Sequence, residues 1–341
     1  MAATVSVIIP TWNRGELLKE CLEALREQRR RADEVIVVDN GSRDGTAEML
    51  ANKFPEVKTI ALESNEGFSK AVNHGMRAAK GDLIALLNND TACDPGWLEA
   101  LTAAAEAHPE VGFLASRVVL HDDPDTIDSV GDSYTPWGMV ANRGHGERGA
   151  DKHAEMVEVF GACAAAAMYR APVIKDVGLI DENFFAYYED VEWSFRARLL
   201  GHRCLYVPDA VVRHRYGATS PAGSKLGREE VYLHLTGIVV KDMPGALILR
   251  NLPSLAVFHS AILFFYLLAR LRGGARLPGG VRLPSAGRLP RVPFFRFMSA
   301  MLRGRREVQR KRRVHWREIE KAFAKTGFFD WFRREWRNFR G

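Results

Sequence analysis

A chain of 341 residues is long for one compact domain and short for two, so one large domain with an extension is the expectation. Hydrophobic residues at 47% and charged residues at 26% supply a sizeable core and exclude wholesale disorder. The net charge of +6 hides a split: residues 270–341 hold 21 Lys/Arg against 5 Asp/Glu, a net of +16, and the remainder holds 27 against 37, a net of −10. From the N-terminus, Val5 to Pro10 (VSVIIP) is a continuous apolar run, as expected of a strand covered on both faces. Helical spacing follows from Glu16 to about Gln28, with Leu17, Leu18, Cys21, Leu22 and Leu25 on one face. Glu34 to Val38 predicts a second strand, running into Asp39-Asn40-Gly41-Ser42, and Asp44-Gly45-Thr46 opens a helix to about Lys53. Val57 to Leu62 predicts a third strand, Ser64-Asn65-Glu66-Gly67 caps a helix reaching Ala79, and Asp82 to Leu87 predicts a fourth strand.

This β-α-β-α-β-α-β alternation with short connections predicts an α/β fold: a mostly parallel, Rossmann-like central sheet with helices on both faces. Ligands bind such sheets beyond the C-terminal strand ends. Those ends here carry Thr11-Trp12-Asn13, Asp39-Asn40-Gly41-Ser42, Asn65 and Asn88-Asn89-Asp90. Residues 121–156 are polar with weak periodicity and read as a long, partly mobile excursion. Val157 to Arg170 is small at its centre; Gly161, Ala162 and Ala164 to Ala167 suit either a close backbone approach to a ligand or tight packing on an alanine face. Glu189 to Leu200 has helical spacing, and Arg203 to Val207 and Ala210 to Arg213 read as two short strands. Leu252 to Ala269 is mostly apolar and sits at the lower edge of what spans a bilayer, about 20 residues. Its Arg-rich flank, interleaved with Leu, Pro, Phe and Trp, favours an in-plane anchor on an anionic leaflet over a clean span or simple packing on the domain. The same apolar stretch favours lipid over nucleic acid as the partner of the basic region.

The four cysteines (Cys21, Cys93, Cys163 and Cys204) show no CxxC pair and no Cys/His metal spacing, so they read as buried thiols of a reducing compartment. The N-terminus MAATVSVIIPTWN shows no secretory pattern, which adds to a cytoplasmic expectation. No GxGxxG follows the first strand and no GxxxxGK[ST] occurs, which argues against a dinucleotide-binding dehydrogenase and a P-loop NTPase. Three constellations carry chemistry. Asp39, past the second strand, suits a hydrogen bond from a nucleobase imide, or equally a turn. Asn88-Asn89-Asp90 offers a carboxylate to a hard divalent cation that keeps open positions for phosphates, or an Asn-rich turn. Tyr187-Tyr188-Glu189-Asp190-Val191-Glu192-Trp193 places three acids at a helix start, either complementing its dipole or supplying a general base. His214, in VVRHRYG, is a further metal ligand or a surface residue.

Taken in order, PTWNR, VVDNGSRDGT, NEGFSKAVNHGM, LLNNDT, FFAYYEDVEWSFRARLLGH and VPDAVVRH resemble the family 2 glycosyltransferases of GT-A fold. Within them the chain looks most like the rhamnosyltransferase-type branch of cell-surface polysaccharide synthesis. The resemblance runs from about Val5 to Ser220. It implies that Pro10, Thr11, Asn13 and Asp39 hold the donor nucleoside, with Asn65, Gly67 and Asn73 near the ribose and donor sugar, and that Asn89, also on the donor, matches with Asp90 the family's metal-binding DXD element. It implies Asp90 and His214 as ligands of Mg²⁺ or Mn²⁺, Asp190 as the catalytic base, and Trp193, Glu189 and Gly161 on the acceptor side. The metal motif departs from the family's DXD in keeping only its last acid, which implies that metal and nucleotide bind together.

The expected organisation is a catalytic domain over 1–225, with a nucleotide-binding half (1–115) and an acceptor half (116–225), followed by a helical, Arg-rich, membrane-associating region over 226–341. The implied activity is metal-dependent, inverting transfer of a sugar from a nucleotide-diphosphate donor to a saccharide or lipid-linked acceptor, at the inner face of the cell membrane. A sugar nucleotidyltransferase and a non-catalytic nucleotide-sugar-binding recruitment subunit are the competing readings. The first lacks a triphosphate loop in PTWNRGE; the second is disfavoured by the joint presence of Asp90, Asp190 and His214. A second copy of the chain stays open as a partner.

Overall fold

The computed structural model describes residues 3–149, 151–215, 217, 225–272, 294–325 and 327–328. Its elements in chain order are β1 (Val5–Thr11), α1 (Gly15–Arg26), β2 (Glu34–Asp39), α2 (Thr46–Lys53), β3 (Lys58–Ala61), α3 (Phe68–Ala78), β4 (Leu83–Leu87), β5 (Thr91–Cys93), α4 (Trp97–Ala107), β6 (Phe113–Leu120), β7 (Ile127–Ser129), β8 (Asp132–Tyr134), β9 (Val140–Asn142), β10 (Val157–Val159), β11 (Ala166–Arg170), α5 (Ala171–Val177), α6 (Glu189–Leu199), β12 (Cys204–His214), α7 (Lys225–Lys241), α8 (Gly245–Arg250), α9 (Leu252–Arg272), α10 (Phe294–Lys311) and α11 (Trp316–Ala322). The chain divides into two compact units, residues 1–133 with 141–219, and residues 134–140 with 220–341.

The first unit is built on one sheet of order β10-β12-β6-β11-β4-β1-β2-β3, with β5 added to β12 and β7 to β6. Its strands alternate between two cores, because successive side chains point to opposite faces. Val5, Val7 and Ile9 of β1 join Leu83, Ala85 and Leu87 under α1 and α4, where Leu18, Cys21, Leu22, Leu25 and Trp97 are buried. Ile8, Ile36, Val38, Ile84 and Leu86 face α3 and α6 instead, meeting Val72, Trp193 and Ala197. Both faces are covered, which explains the continuous apolar runs. Gly75 lets α3 approach the sheet: a Cβ there would lie 2.3 Å from Ile8 Cγ2.

The parallel expectation holds for β3-β2-β1-β4 and for β12 beside β6. Between them the sheet is mixed, because β11 runs antiparallel to both β4 and β6.

Two further expectations are corrected. Residues 121–156 are not a loose excursion: β7 pairs with β6, β8 with β9, and Ile127, Asp128, Ser129, Val130, Asp132 and Tyr134 are buried. Residues 204–214 form one strand, whose register shifts between Val207 and Val211 to accommodate Pro208. Leu252 to Ala269, expected as an in-plane anchor, lies within α9, and among the described residues no helix is long and apolar enough to cross a membrane. Much of the basic tail, residues 273–293 and 329–341, lies outside the described residues, as does most of 216–224 at the expected boundary of the catalytic domain.

The second unit is helical. Helix α10 packs on α7, and Arg305 donates to the Val240 and Met243 carbonyls at 2.8 Å each. The hairpin tip 134–140 belongs to this unit: Ala324 N donates to Tyr134 O at 2.8 Å, and Gly138 sits against Val239 and His259.

Candidate active site

The C-terminal ends of β1, β2 and β4 are stitched together by their own side chains. Asn89 Nδ2 donates to Thr11 Oγ1 at 2.8 Å. Asp39 closes its turn by accepting Ser42 N at 2.9 Å. Asn13, in left-handed backbone at φ 50°, accepts Arg43 N at 2.7 Å, and its own N–H donates to Ser42 Oγ at 2.9 Å. Asn40, which sequence reasoning did not single out, ties this edge to the next loop: its amide donates to Asn65 Oδ1 at 3.2 Å and Gly67 O at 3.1 Å, and it accepts Glu66 N at 2.8 Å. Pro10, Thr11, Asn13, Asp39, Asn65, Gly67 and Asn89 therefore line one sheet edge, each at or just past a strand end.

Asn73 lies elsewhere. One turn into α3, it is buried and donates to Ile180 O at 2.9 Å and Glu182 Oε1 at 3.0 Å, while accepting Ile180 N at 3.0 Å. With Phe68 N donating to Phe185 O at 2.7 Å, these bonds clasp α3 to the segment that leads into α6.

Asp90 and His214, far apart in sequence, meet because β5 pairs with the end of β12, which sets His214 opposite Thr91. Arg215 N donates to Asp90 O at 2.9 Å, and His214 Nε2 stands 3.3 Å from Asp90 Oδ1. The other ring nitrogen is held by Asp128, Nδ1 to Oδ2 at 2.7 Å, and Asp128 also meets His145 Nδ1 at 3.2 Å. Burial opposes a charged imidazole at 214, but hydrogen bonds to Asp128 and Asp90 and their negative charges overcome it and lift its pKa to about 9. For Asp128, burial pushes up while the two histidines pull harder down, so it stays an anion.

This arrangement fits a hard divalent cation. A carboxylate and an imidazole converge, and Asp128 fixes which ring nitrogen faces Asp90, the role of a carboxylate behind a ligating histidine. Among the described residues no cluster of three or more His, Cys, Asp or Glu side chains forms a ready metal cage. Asp90 and His214 would thus hold the ion with donor oxygens filling the remaining positions, as suits Mg²⁺ or Mn²⁺.

Asp190 opens α6 after two consecutive tyrosines in left-handed backbone, Tyr187 at φ 71° and Tyr188 at φ 65°. Non-glycine residues held this way cost on the order of 1–3 kcal/mol each and persist only where the surroundings impose them. The half-buried Asp190 carboxylate accepts Ala164 N at 2.9 Å and Val191 N at 2.8 Å. Ala165 O in turn accepts Asn88 N at 2.9 Å. The adjacent residues Ala164 and Ala165 therefore join the acid of α6 to the Asn88-Asn89-Asp90 turn, setting both on the same sheet edge. Burial raises the Asp190 carboxyl against those two donors. Glu189 beside it is raised well above the usual range by burial and by the Asp190 charge. Asp132, on β8, is raised in the same way.

The acceptor-side expectations divide. Gly161 packs under this cluster, its carbonyl accepting Asp132 N at 2.9 Å. Glu189 lies beside Asp190 at the start of α6. Trp193 is corrected: at 1% exposure it packs edge-on against Phe113 and Tyr169 and donates to Gly178 O at 2.8 Å, so it belongs to the core and offers no cleft surface. Asp128 and Asp132 were missed, each lying in a three-residue strand of the segment read as an excursion.

Strand-end polar groups, a cation-compatible acid–imidazole pair and the half-buried acid of α6 share one edge of an α/β sheet, an arrangement that suits a GT-A-type transferase. The chain belongs to glycosyl transferase family 2, whose sequence model matches residues 6–178. It is 27% identical over 241 residues to the N-acetylglucosaminyl-diphospho-decaprenol L-rhamnosyltransferase of Mycobacterium tuberculosis, covering 63% of this chain and 76% of that protein. It is also 27% identical over 248 residues to the amylovoran biosynthesis glycosyltransferase AmsE of Erwinia amylovora, covering 70% and 86%. Among solved structures the fold is similar to GalNAc-T7 with UDP, GalNAc and Mn²⁺ (TM-score 0.59, 15% identity, 75% of this chain, 51% of that one). It is similar also to the mannosyltransferase PcManGT of Pyrobaculum calidifontis in complex with GDP-Man and Mn²⁺ (TM-score 0.52, 18% identity, 91% and 87%). The chain spans about half the length of the first of these structures.

Proposed function

We propose that this glycosyltransferase is metal-dependent and inverting, moving a sugar from a nucleoside-diphosphate donor to a hydroxyl of a saccharide or lipid-linked saccharide in cell-surface polysaccharide synthesis. The observation that carries the reading is the Ala164–Ala165 link, which sets Asp190 on the same edge as Asn89-Asp90. The rhamnosyltransferase and amylovoran relatives favour this use of the site, and the former favours rhamnose as the donor sugar.

Thr11, Asn13 and Asp39 orient the nucleoside, with Asn65, Gly67 and Asn89 toward its ribose and sugar. Asp90 and His214 would hold the cation, which would supply positive charge beside the departing diphosphate. Asp190, as its carboxylate, takes the proton of the acceptor hydroxyl. The acceptor oxygen then forms its bond to the anomeric carbon as the bond to the diphosphate oxygen breaks, the electron pair leaving with the diphosphate. One displacement from the opposite face inverts the anomeric centre. The enzyme works in the cytoplasm on the inner membrane surface, drawn there by its basic C-terminal region.

The test is release of nucleoside diphosphate from a panel of sugar nucleotides, with and without Mn²⁺ or Mg²⁺, by wild type and Asp90→Ala. Metal-dependent release from one donor, lost in the variant, supports the reading; equal release without metal overturns the metal assignment.

A further inference from the structure

We infer that α10 is the membrane-docking element, its outer face entering the headgroup–acyl boundary of an anionic bilayer. The inference rests on the membrane-surface reading above and assigns that contact to named residues.

Helix α10 carries two apolar stripes where packing requires one. The inner stripe is Phe297 and Met301, both fully buried. Gly237 of α7 makes room for them: a Cβ there would lie 2.5 Å from the Phe297 ring and 3.3 Å from Met301 Cγ. The outer stripe is Phe295, Met298 and Leu302, at the i, i+3, i+7 spacing of a single helix face. A helix turns about 100° per residue, so Phe295 stands about 200° from Phe297, on the far side from α7. Phe295 is 84% exposed, Leu302 57% and neighbouring Phe294 51%.

The charge around the outer stripe says what covers it. Arg296 and Arg303 flank it, and Arg306 continues it one turn beyond Leu302, all three exposed. Residues 294–313 hold eight Lys/Arg and one Asp/Glu. That single acid, Glu307, is engaged by Lys311 at 2.7 Å. An apolar face that grades into arginines is the pattern of a helix lying in the plane of an anionic interface, with long basic side chains reaching the phosphates. A second protein would bury the phenylalanines too, but it would need an acidic surface matched to eight basic side chains, whereas an anionic leaflet offers negative charge at every position together with an apolar layer. A nucleic acid would use aromatic rings for stacking but has no use for Leu302.

The experiment is co-sedimentation of the full chain with phosphatidylcholine vesicles, with and without phosphatidylglycerol. Wild type is expected to bind the anionic vesicles only, and binding falls as salt rises. Phe295→Ser combined with Leu302→Ser is expected to weaken that binding at least about tenfold. Its thermal midpoint and its donor-hydrolysis rate stay at the wild-type value, since both side chains face solvent. Arg303→Glu with Arg306→Glu weakens binding as well and flattens its salt dependence. If the Phe295/Leu302 variant binds vesicles as wild type does, the assignment to α10 is overturned while the membrane reading stands. If wild type ignores anionic vesicles, or binds RNA in their place, both fall.

Discussion

His214 is held between two carboxylates, Nδ1 at 2.7 Å from Asp128 and Nε2 at 3.3 Å from Asp90. Only Asp90 faces the proposed cation; Asp128 sets the ring's orientation and tautomer. Loss of such an orienting carboxylate weakens metal binding by roughly 10- to 100-fold. Asp128→Asn is therefore expected to lower Mn²⁺ affinity by that order, measured by calorimetry in the presence of nucleoside diphosphate. Unchanged affinity would place the metal elsewhere.

The same pair predicts a proton count. A ligating imidazole must be neutral, whereas without metal His214 titrates at about 9. Near neutral pH it is protonated, so Mn²⁺ binding should release close to one proton from it and tighten as pH rises. The release disappears above that pKa and in His214→Ala. Calorimetry in buffers of different ionisation enthalpy reads it directly.

The proposed base Asp190 must be an anion to accept a proton, but burial lifts its pKa above the ordinary 3.8. Below the raised value the base is protonated and idle, so kcat/KM should climb with pH through it, and the acid limb should lie above the usual carboxylate range. A rate that stays flat down to the ordinary value would remove Asp190 from the role.

Asp132 bears on stability. Burial and the Asp190 charge raise its pKa, so the folded protein binds that proton more tightly than the unfolded chain. This contribution is complete below the unfolded pKa and is lost as pH rises through the folded one. Asn at 132 stays neutral throughout. The thermal midpoint of Asp132→Asn should therefore gain on wild type as pH increases; parallel curves would contradict the burial of a titrating carboxyl.

Gly161 tests the packing against Ser194 and Asp132. A Cβ there would lie 2.6 Å from Ser194 Oγ and 2.8 Å from Ser194 Cβ, in a site with no spare volume. Gly161→Ala should cost about 1–3 kcal/mol in denaturant unfolding, and adding Ser194→Gly should recover part of it.

The segment from β1 to β4 was legible because its strands are apolar runs and its helices keep a single apolar face, as in Val5–Thr11 and Leu18/Cys21/Leu22/Leu25. The segment from β7 to β10 was not. Strands of three residues, such as Ile127–Ser129, are too short for alternation to register, so Asp128 went unnoticed although Ile-Asp-Ser alternates. Trp193 was misplaced because motif position says nothing about which side of α6 a residue faces, and Phe113 and Tyr169 claim it. Asn73 was legible as a polar residue on a helix, but its bonds to Ile180 and Glu182 depend on a loop more than a hundred positions away. The direction of β11 left no trace, since antiparallel and parallel buried strands share one composition.

The central claim is that Asp190 removes the acceptor's proton at the edge where Asp90 and His214 hold the donor. The most direct measurement is glycosyl transfer by Asp190→Asn to a saccharide acceptor, alongside Mn²⁺-dependent binding of the nucleoside diphosphate. The account predicts that transfer is abolished while binding stays within a few-fold of wild type, roughly 1 kcal/mol or less. Transfer near the wild-type rate would contradict it.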